Sequence, residues 1–441
     1  MRFCVAPLLN LIVYGCAAIA AGAAHPQIAP GQPETIGQAW QAALASDAQL
    51  DAARWEHAAA SSDLDAAHSL RRPNVQLGSQ LAMLSDEPSY RTPGGTFPYQ
   101  QRDFFAAEAR LRVPIDIAGD TAARIDAATG AVERADFEVR RHELEVKRQV
   151  AEAYIQVLRC ARRVEVARER LEHLTAHATD AQKLFEHERL PRHDLLAVGL
   201  KRSEAKIALL QAENKLTTAR HAYNRHLKRP LDARIWLARL EPLREPLDAE
   251  GLVHTGLSLR PELAYLNALS GELLSQAEAV AASKRPHVHL EGGVRYRENR
   301  YETPNGLASA AVVVDWIPYD GGRAHQQATA LEARANAARR RLDDVASRIQ
   351  LEVRTAVVNH QESVQRLEVA QQSVEQAEEN LRAVRLRFQM NRATTTEVLD
   401  AVAWRADAQW RWPQPAYDTV QRHIEAHYAA SQLSSGTSQR R

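Results

Sequence analysis

His287 and His289 stand two residues apart in the alternating run HVHLEGGVRYR, which puts both imidazoles on one strand face. That spacing suits a pair of metal ligands. A polar strand face is the simpler reading, because the seventeen histidines are otherwise scattered. The chain has no G-x-S-x-G, P-loop, H-E-x-x-H or C-x-x-C motif. A secreted enzyme on a helical scaffold would need a clustered acid, base or metal set, and none is visible. No catalytic residue, metal or cofactor is therefore expected. Of three cysteines, Cys4 and Cys16 lie in an apolar N-terminal run and Cys160 stands alone, which leaves no disulfide framework. With 56 basic and 55 acidic residues, there is no electrostatic case for nucleic acid.

The two histidines belong to one of four runs that alternate apolar and polar residues. Val75, Leu77, Ser79, Leu81 and Met83 form the apolar set of the first run, and Phe105, Ala107, Ala109, Leu111 and Val113 that of the second. Val288, Leu290, Gly292, Val294 and Tyr296 follow, then Ala308, Ala310, Val312, Val314 and Trp316. Each run is about ten residues, the length of a tilted membrane strand. A soluble hairpin with one face on a core would show the same period. The charged polar faces and the tryptophan at a strand end favour a barrel in a membrane. Four strands cannot close a barrel, and open edges cannot sit in lipid. Other copies of the chain must complete the sheet.

These strands sit in a duplicated chain. RRPNVQL (71–77) and KRPHVHL (284–290) are nearly the same phrase. Leu44, Leu50 and Pro73 recur as Leu257, Leu263 and Pro286, a step of 213 residues. Gly119, Val150, Phe185 and Leu196 recur as Gly322, Val353, Phe388 and Leu399, a step of 203. The extra residues of the first half fall in SDEPSYRTPGGTFPYQQ, which reads as an exposed loop.

A long helix follows each strand pair. Residues 323–390 contain no Gly or Pro, and residues 120–190 contain one Gly and no Pro. Leu367, Val374, Leu381 and Phe388 recur every seven, as do Val164, Leu171, Ala178 and Phe185, which is a heptad seam. The chain turns at EHERLPRHD (186–194) and QMNRATTTE (389–397) and returns. Asp194 and Glu397 are first-turn acids, favoured by the helix dipole. Asn391 tolerates a left-handed turn, whereas Glu188 does so poorly, so the first turn is expected to run through Pro191. Pro413 and Pro415 should kink or break the last helix.

MRF and the apolar run after it, ending in AGAA, read as a secretory signal peptide over 1–24. A lipoprotein signal with Cys16 as the acylated residue is the alternative. The remaining organisation expected is a first repeat over 25–228, with an N-terminal helix, a β-hairpin about 74–114 and a helical hairpin about 120–228. An inter-repeat segment follows at 229–256, then a second repeat over 257–430 with hairpins about 287–317 and 322–430. Residues 431–441 are expected to form a flexible tail.

Signal peptide, duplication, short strand hairpins and long helical hairpins together resemble the TolC-type outer-membrane efflux proteins. LRPELAYLNAL (259–269), WIPYDGGRAHQQA (316–328) and RFQMNRATTTEVLDA (387–401) are similar to that family's motifs, and the resemblance covers essentially the whole mature chain. It implies a mainly α fold with a small membrane β-barrel portion, in which three copies form an α-barrel/β-barrel tunnel. It implies a passive exit duct of a tripartite efflux or type I secretion system. The location implied is the outer membrane of a Gram-negative bacterium, with the helices in the periplasm and 229–256 in a belt around the tunnel. A periplasmic adaptor (membrane fusion) protein and an inner-membrane pump are the implied partners, beside the homotrimer and outer-membrane lipid. Glu397 and Asp400, with Asp194 as the first-repeat counterpart, fall where family members narrow the tunnel with carboxylates. Glu188, Pro191, Asn391 and Arg392 fall at the tips where an adaptor docks. The alternative is that the chain is itself a periplasmic adaptor with a coiled-coil hairpin, but such a protein should carry one helical hairpin beside a lipoyl-like β domain.

Overall fold

The computed structural model describes residues 33–433 except 189, 391 and 412. The expected leader with Cys16, the turn residue Asn391 and residues 434–441 lie outside the described residues.

Two short helices, α1 (Ile36–Ser46) and α2 (Ala48–Ser69), lead into β1 (Asn74–Met83), β2 (Ser89–Thr92), β3 (Gly95–Pro98) and β4 (Asp103–Ile115). The long hairpin α3 (Asp120–Glu186) and α4 (Arg192–His226) follows. The second half runs α5 (Ala249–Leu259), α6 (Pro261–Ala282), β5 (His287–Arg297), β6 (Gly306–Asp315), α7 (Arg323–Gln389), α8 (Thr395–Arg411) and α9 (Pro413–Ala429). Both α3 and α7 have 67 residues, which makes each about 100 Å long. After the second tip, α8 is helical to Arg411 and α9 is helical from Pro413, and residue 412 lies outside the described residues. No described helix is long and apolar enough to cross a membrane.

The duplication sets the layout. The main sheet is antiparallel in the order β1-β4-β5-β6. The helices attached to those strands pack in the same order, α2 on α3, α3 on α6 and α6 on α7. Each strand thus continues into its own helix, and the chain forms a wall one layer thick. Its lateral margins are α2 with β1 on one side and α7 with β6 on the other. The one glycine of α3 serves this packing: a Cβ on Gly130 would lie 3.2 Å from the Cβ of Glu272 on α6.

The turns that start the two long helices differ by one residue from aspartate to glycine but do the same work. Asp116 accepts from the amides of Gly119 (2.9 Å) and Ala122 (2.8 Å), and Asp320 from those of Gly322 (3.0 Å) and Ala324 (2.8 Å). Each carboxylate occupies the donors at a helix start. The second turn, one residue shorter from aspartate to glycine, uses two left-handed glycines, Gly321 and Gly322, where the first uses Gly119 alone.

The heptad seams are covered: Val164, Ala167, Leu174 and Ala181 on α3 and Leu367 and Leu381 on α7 are buried. The main core lies near mid-length, where α1 and the segment after α4 strap α3. Trp40 Nε1 donates to the Lys147 carbonyl (2.8 Å), and Tyr154 Oη donates to the carbonyls of Glu34 and Ala238 (2.7 Å each). Glu34, 3% exposed, is held by both guanidinium nitrogens of Arg229 at 2.7 and 2.9 Å. Two expectations need correction. Residues 431–433 are packed rather than free: Leu433 is buried in this core and its carbonyl accepts from Lys147 Nζ (3.1 Å). The stretch taken as a bare loop holds the hairpin β2–β3, turning at Pro93-Gly94. Its strands of four residues are too short for period-two patterning to register, and the Pro-Gly pair was the available signal.

Candidate membrane sheet and helical tip

The strand register sorts the side chains of the sheet onto two faces. Val75, Leu111 and Gly292 align across the sheet, as do Leu77, Ala109 and Val294, and Val113, Leu290 and Val312. This face is apolar over all four strands. It is also uncovered: Leu77, Leu81, Val294, Val312 and Val314 are each more than half exposed. The opposite face carries Gln76, Arg110 and Ser309, then Glu108 and Arg295, then Arg112 and Glu291. Trp316 closes the apolar side at the helical end, and its Nε1 donates to the Lys284 carbonyl (2.9 Å). The outer edges of β1 and β6 have no strand partner among the described residues.

His287 and His289 lie on the polar face next to carboxylates. His289 is buried between Glu291 (3.6 Å) and Asp315 (3.5 Å), and His287 stands 3.4 Å from Asp120. No group of His, Cys, Asp and Glu fit to hold a metal ion exists among the described residues.

At the far end of the molecule the two helical hairpins meet. In the first tip Glu188 is left-handed (φ 56°) and its amide donates to the Phe185 carbonyl (2.9 Å). The first turn therefore uses the left-handed conformation that glutamate was expected to avoid, and Pro191, extended at φ −66°, then starts α4. The local cost is offset by burial of Leu190 against Ala181 and Val198, where Leu399 of the second hairpin also packs. Asp194 is half-buried in the first turn of α4, 3.4 Å from His193. In the second tip Arg392 donates its amide to the Arg387 carbonyl (2.7 Å), and Thr394 Oγ1 accepts from the Glu397 amide (3.2 Å). The Glu397 carboxylate lies 3.7 Å from the Arg387 guanidinium. Asp400 is exposed one turn further along α8. Glu397 and Asp400 thus share a face near the tip, and Asp194 sits at the equivalent start of the other returning helix.

Behind the tip is a network that the heptads did not reveal. Arg405 on α8 reaches Glu169 of α3 (3.8 Å) and Glu378 of α7 (3.4 Å), so one guanidinium ties three helices. Arg385 of α7 donates to His173 Nδ1 (3.2 Å), while His177 is buried edge-on to Phe388 (5.6 Å between ring centres). Burial, then the nearby Arg385 and Arg405, hold His173 below the usual imidazole value. Burial does the same for His177. A second missed group lies at the α7–α9 contact. His360, His423 and His427 form a chain of rings with centres 5.5 and 4.6 Å apart, and each Nδ1 is buried without a partner.

The margins of the helical wall remain apolar. Leu196, Leu200, Ile207 and Leu210 make an exposed stripe at helical spacing on α4. Between α7 and the α8–α9 helices lies a groove of about 880 Å³, with Val369, Ala377 and Trp404 among its lining residues.

Residues 39–227 match the family model for outer membrane efflux protein. A search of curated proteins finds no significant match. Among solved structures, the outer membrane protein VceC of Vibrio cholerae superposes with a TM-score of 0.78 at 17% identity, covering 90% of this chain and 95% of that one. The CmeC outer membrane channel of Campylobacter jejuni gives 0.78 at 12% identity, covering 90% and 85%. The open-state MtrE outer membrane channel of Neisseria gonorrhoeae gives 0.72 at 14%, covering 90% and 88%. The chain has the fold of these three proteins along nearly its whole length.

Proposed function

We propose that this chain, a member of the outer membrane efflux protein family, is the passive exit duct of a tripartite efflux or type I secretion system and works as a trimer. The observation that carries this reading is the four-stranded sheet: one face is apolar and bare, the other is charged, and both edges are open. In lipid every backbone polar group needs a partner, so β6 of one copy must pair with β1 of the next. Three copies then make a twelve-stranded barrel with the apolar face toward lipid and the polar face toward the lumen. The same operation brings the exposed α4 stripe of one copy to the α7–α8 groove of its neighbour, which buries apolar surface along the tunnel. A duct of this kind has no turnover of its own and draws energy from its pump.

The barrel would sit in the outer membrane of a Gram-negative bacterium, and the 100 Å helices would cross the periplasm. An adaptor protein would dock at the tips, at Glu188, Pro191, Asn391 and Arg392, and link the duct to an inner-membrane pump. Glu397 and Asp400, with Asp194, would become rings of three carboxylates at the narrow end and favour cations there. The segment 229–256 would form the equatorial belt. Residues 1–24 would be removed on export, with acylation at Cys16 as the alternative processing. The test is mass and negative-stain imaging of the detergent-purified protein. A hollow trimer well over 100 Å long is the expected result. A monomer, or a rod that needs no detergent, would overturn the duct.

A further inference from the structure

The polar face of the barrel sheet is not charge-balanced, and the register shows where the imbalance lies. Four arginines point to this face from the middle strands, Arg110 and Arg112 on β4 and Arg295 and Arg297 on β5. Glu291 lies opposite Arg112, and Glu108 lies opposite Arg295. Glu108 nevertheless bonds Arg110 on its own strand at 2.7 Å, and no carboxylate among the described residues forms an ion pair with Arg295. The flanking strands add no acid at these levels: β1 presents Asn74, Gln76, Gly78 and Gln80, and β6 presents Leu307, Ser309 and Ala311. The remaining carboxylate, Asp315, is at the helical end of β6, beside His289.

Arg295 and Arg297 are the uncompensated pair among the described residues. Arg295 is exposed and faces Leu307 on β6, which offers no charge. Arg297 faces Ala106, and its guanidinium lies over the Phe104 ring at 5.5 Å instead of against an acid. Its Nε is buried without a partner. An aromatic face fixes the guanidinium in place and leaves its charge in the field of the lumen.

We propose that Arg295 and Arg297 give the membrane portion of the duct a preference for anionic permeants, so that they act as specificity-determining residues. This rests on the trimeric reading, in which three copies of each arginine ring one aqueous lumen with low-dielectric walls. Such walls focus the field of unpaired charge. A potential of about one kT raises the local anion concentration and lowers the local cation concentration, each by a factor of about e. The duct would then carry two filters of opposite sign in series, a carboxylate-lined tip and an arginine-lined barrel. Organic or inorganic anions that pass the tip would be drawn onward by the barrel.

The experiment is the reversal potential of the full-length trimer in a planar bilayer under a KCl gradient, for wild type and for Arg295→Gln/Arg297→Gln. The expected result is a chloride-to-potassium permeability ratio lower in the double variant by about threefold or more. Unchanged selectivity, in a variant shown to be trimeric and conducting, overturns the proposal and leaves the duct intact. No conductance from the wild type under any opening condition overturns the duct reading itself. Should the variant fail to assemble, wild type at two salt concentrations decides. Relative anion permeability should fall between 0.1 M and 1 M KCl, as the screening length drops from about 10 Å to about 3 Å. A ratio independent of salt would overturn the arginine assignment.

Discussion

Acidification should loosen α9 from α7, and three histidines set the size of the effect. His360 on α7 and His423 and His427 on α9 share the contact, and no carboxylate is among the groups that shift the three rings. Burial first, then His427 and His360, pushes His423 down to about 4. His360 and His427 are lowered as well, chiefly by burial. Folding therefore favours the neutral rings. Stability is intact above the ordinary imidazole value near 6.5 and is lost progressively as pH falls from there toward 4. For His423 alone the loss is about 2 kcal/mol at pH 5 and about 3 kcal/mol below pH 4. The perturbation is a shift from pH 7.5 to 5.0 in wild type and in His423→Leu, which removes the titrating group from an apolar contact. The assay is hydrogen exchange of the α9 amides, corrected for the intrinsic pH dependence of exchange. Wild type should lose protection in α9 by more than the variant does. Equal losses in both proteins, or none in wild type, would refute the reasoning.

Leu77→Arg puts a charge on the bare apolar face near mid-strand and should cost about 2–4 kcal/mol per protomer in the bilayer, seen as lost insertion into vesicles; Gln76→Arg, on the polar face, should insert normally. Arg229→Ala leaves Glu34 buried without its partner and should destabilise the mid-length strap by about 3–5 kcal/mol, measured by denaturant unfolding in detergent. Leu367→Ala opens a cavity at a fully buried heptad position and should cost about 2–5 kcal/mol in the same assay, with no change in pH response. Gly293→Val should disturb the β4–β5 pairing through the Ala109 carbonyl, so that barrel assembly is lost while helix content by circular dichroism is kept.

The amino-acid sequence determined the repeating parts of this protein. Strict alternation at Val75–Met83 and Val288–Tyr296 can be satisfied only by strands with one apolar face. The seven-residue recurrence from Val164 to Phe185 and from Leu367 to Phe388 can be satisfied only by helices with a packed seam. Periodicity is a local property, and a window of ten to twenty residues contains all of it. Pairing is not local. Two positions on α9 and one on α7, about sixty residues apart in the chain, became a histidine cluster only because α9 packs along α7 at that height. Arg405 became a three-helix tie because Glu169 lies opposite it from the other repeat. The preference of glutamate against a left-handed turn at Glu188 yielded to the burial of Leu190, an energy that the residues of the turn do not themselves contain. The charge excess on the polar face of the sheet likewise needed the structure: Arg295 and Arg297 read as ordinary polar-face residues until Glu108 pairs with Arg110 and Ala106 stands opposite Arg297. Sequence spacing fixes which way a side chain points along one element. Only the docking of elements decides what it points at, because that depends on long-range contacts whose partners the local pattern does not encode.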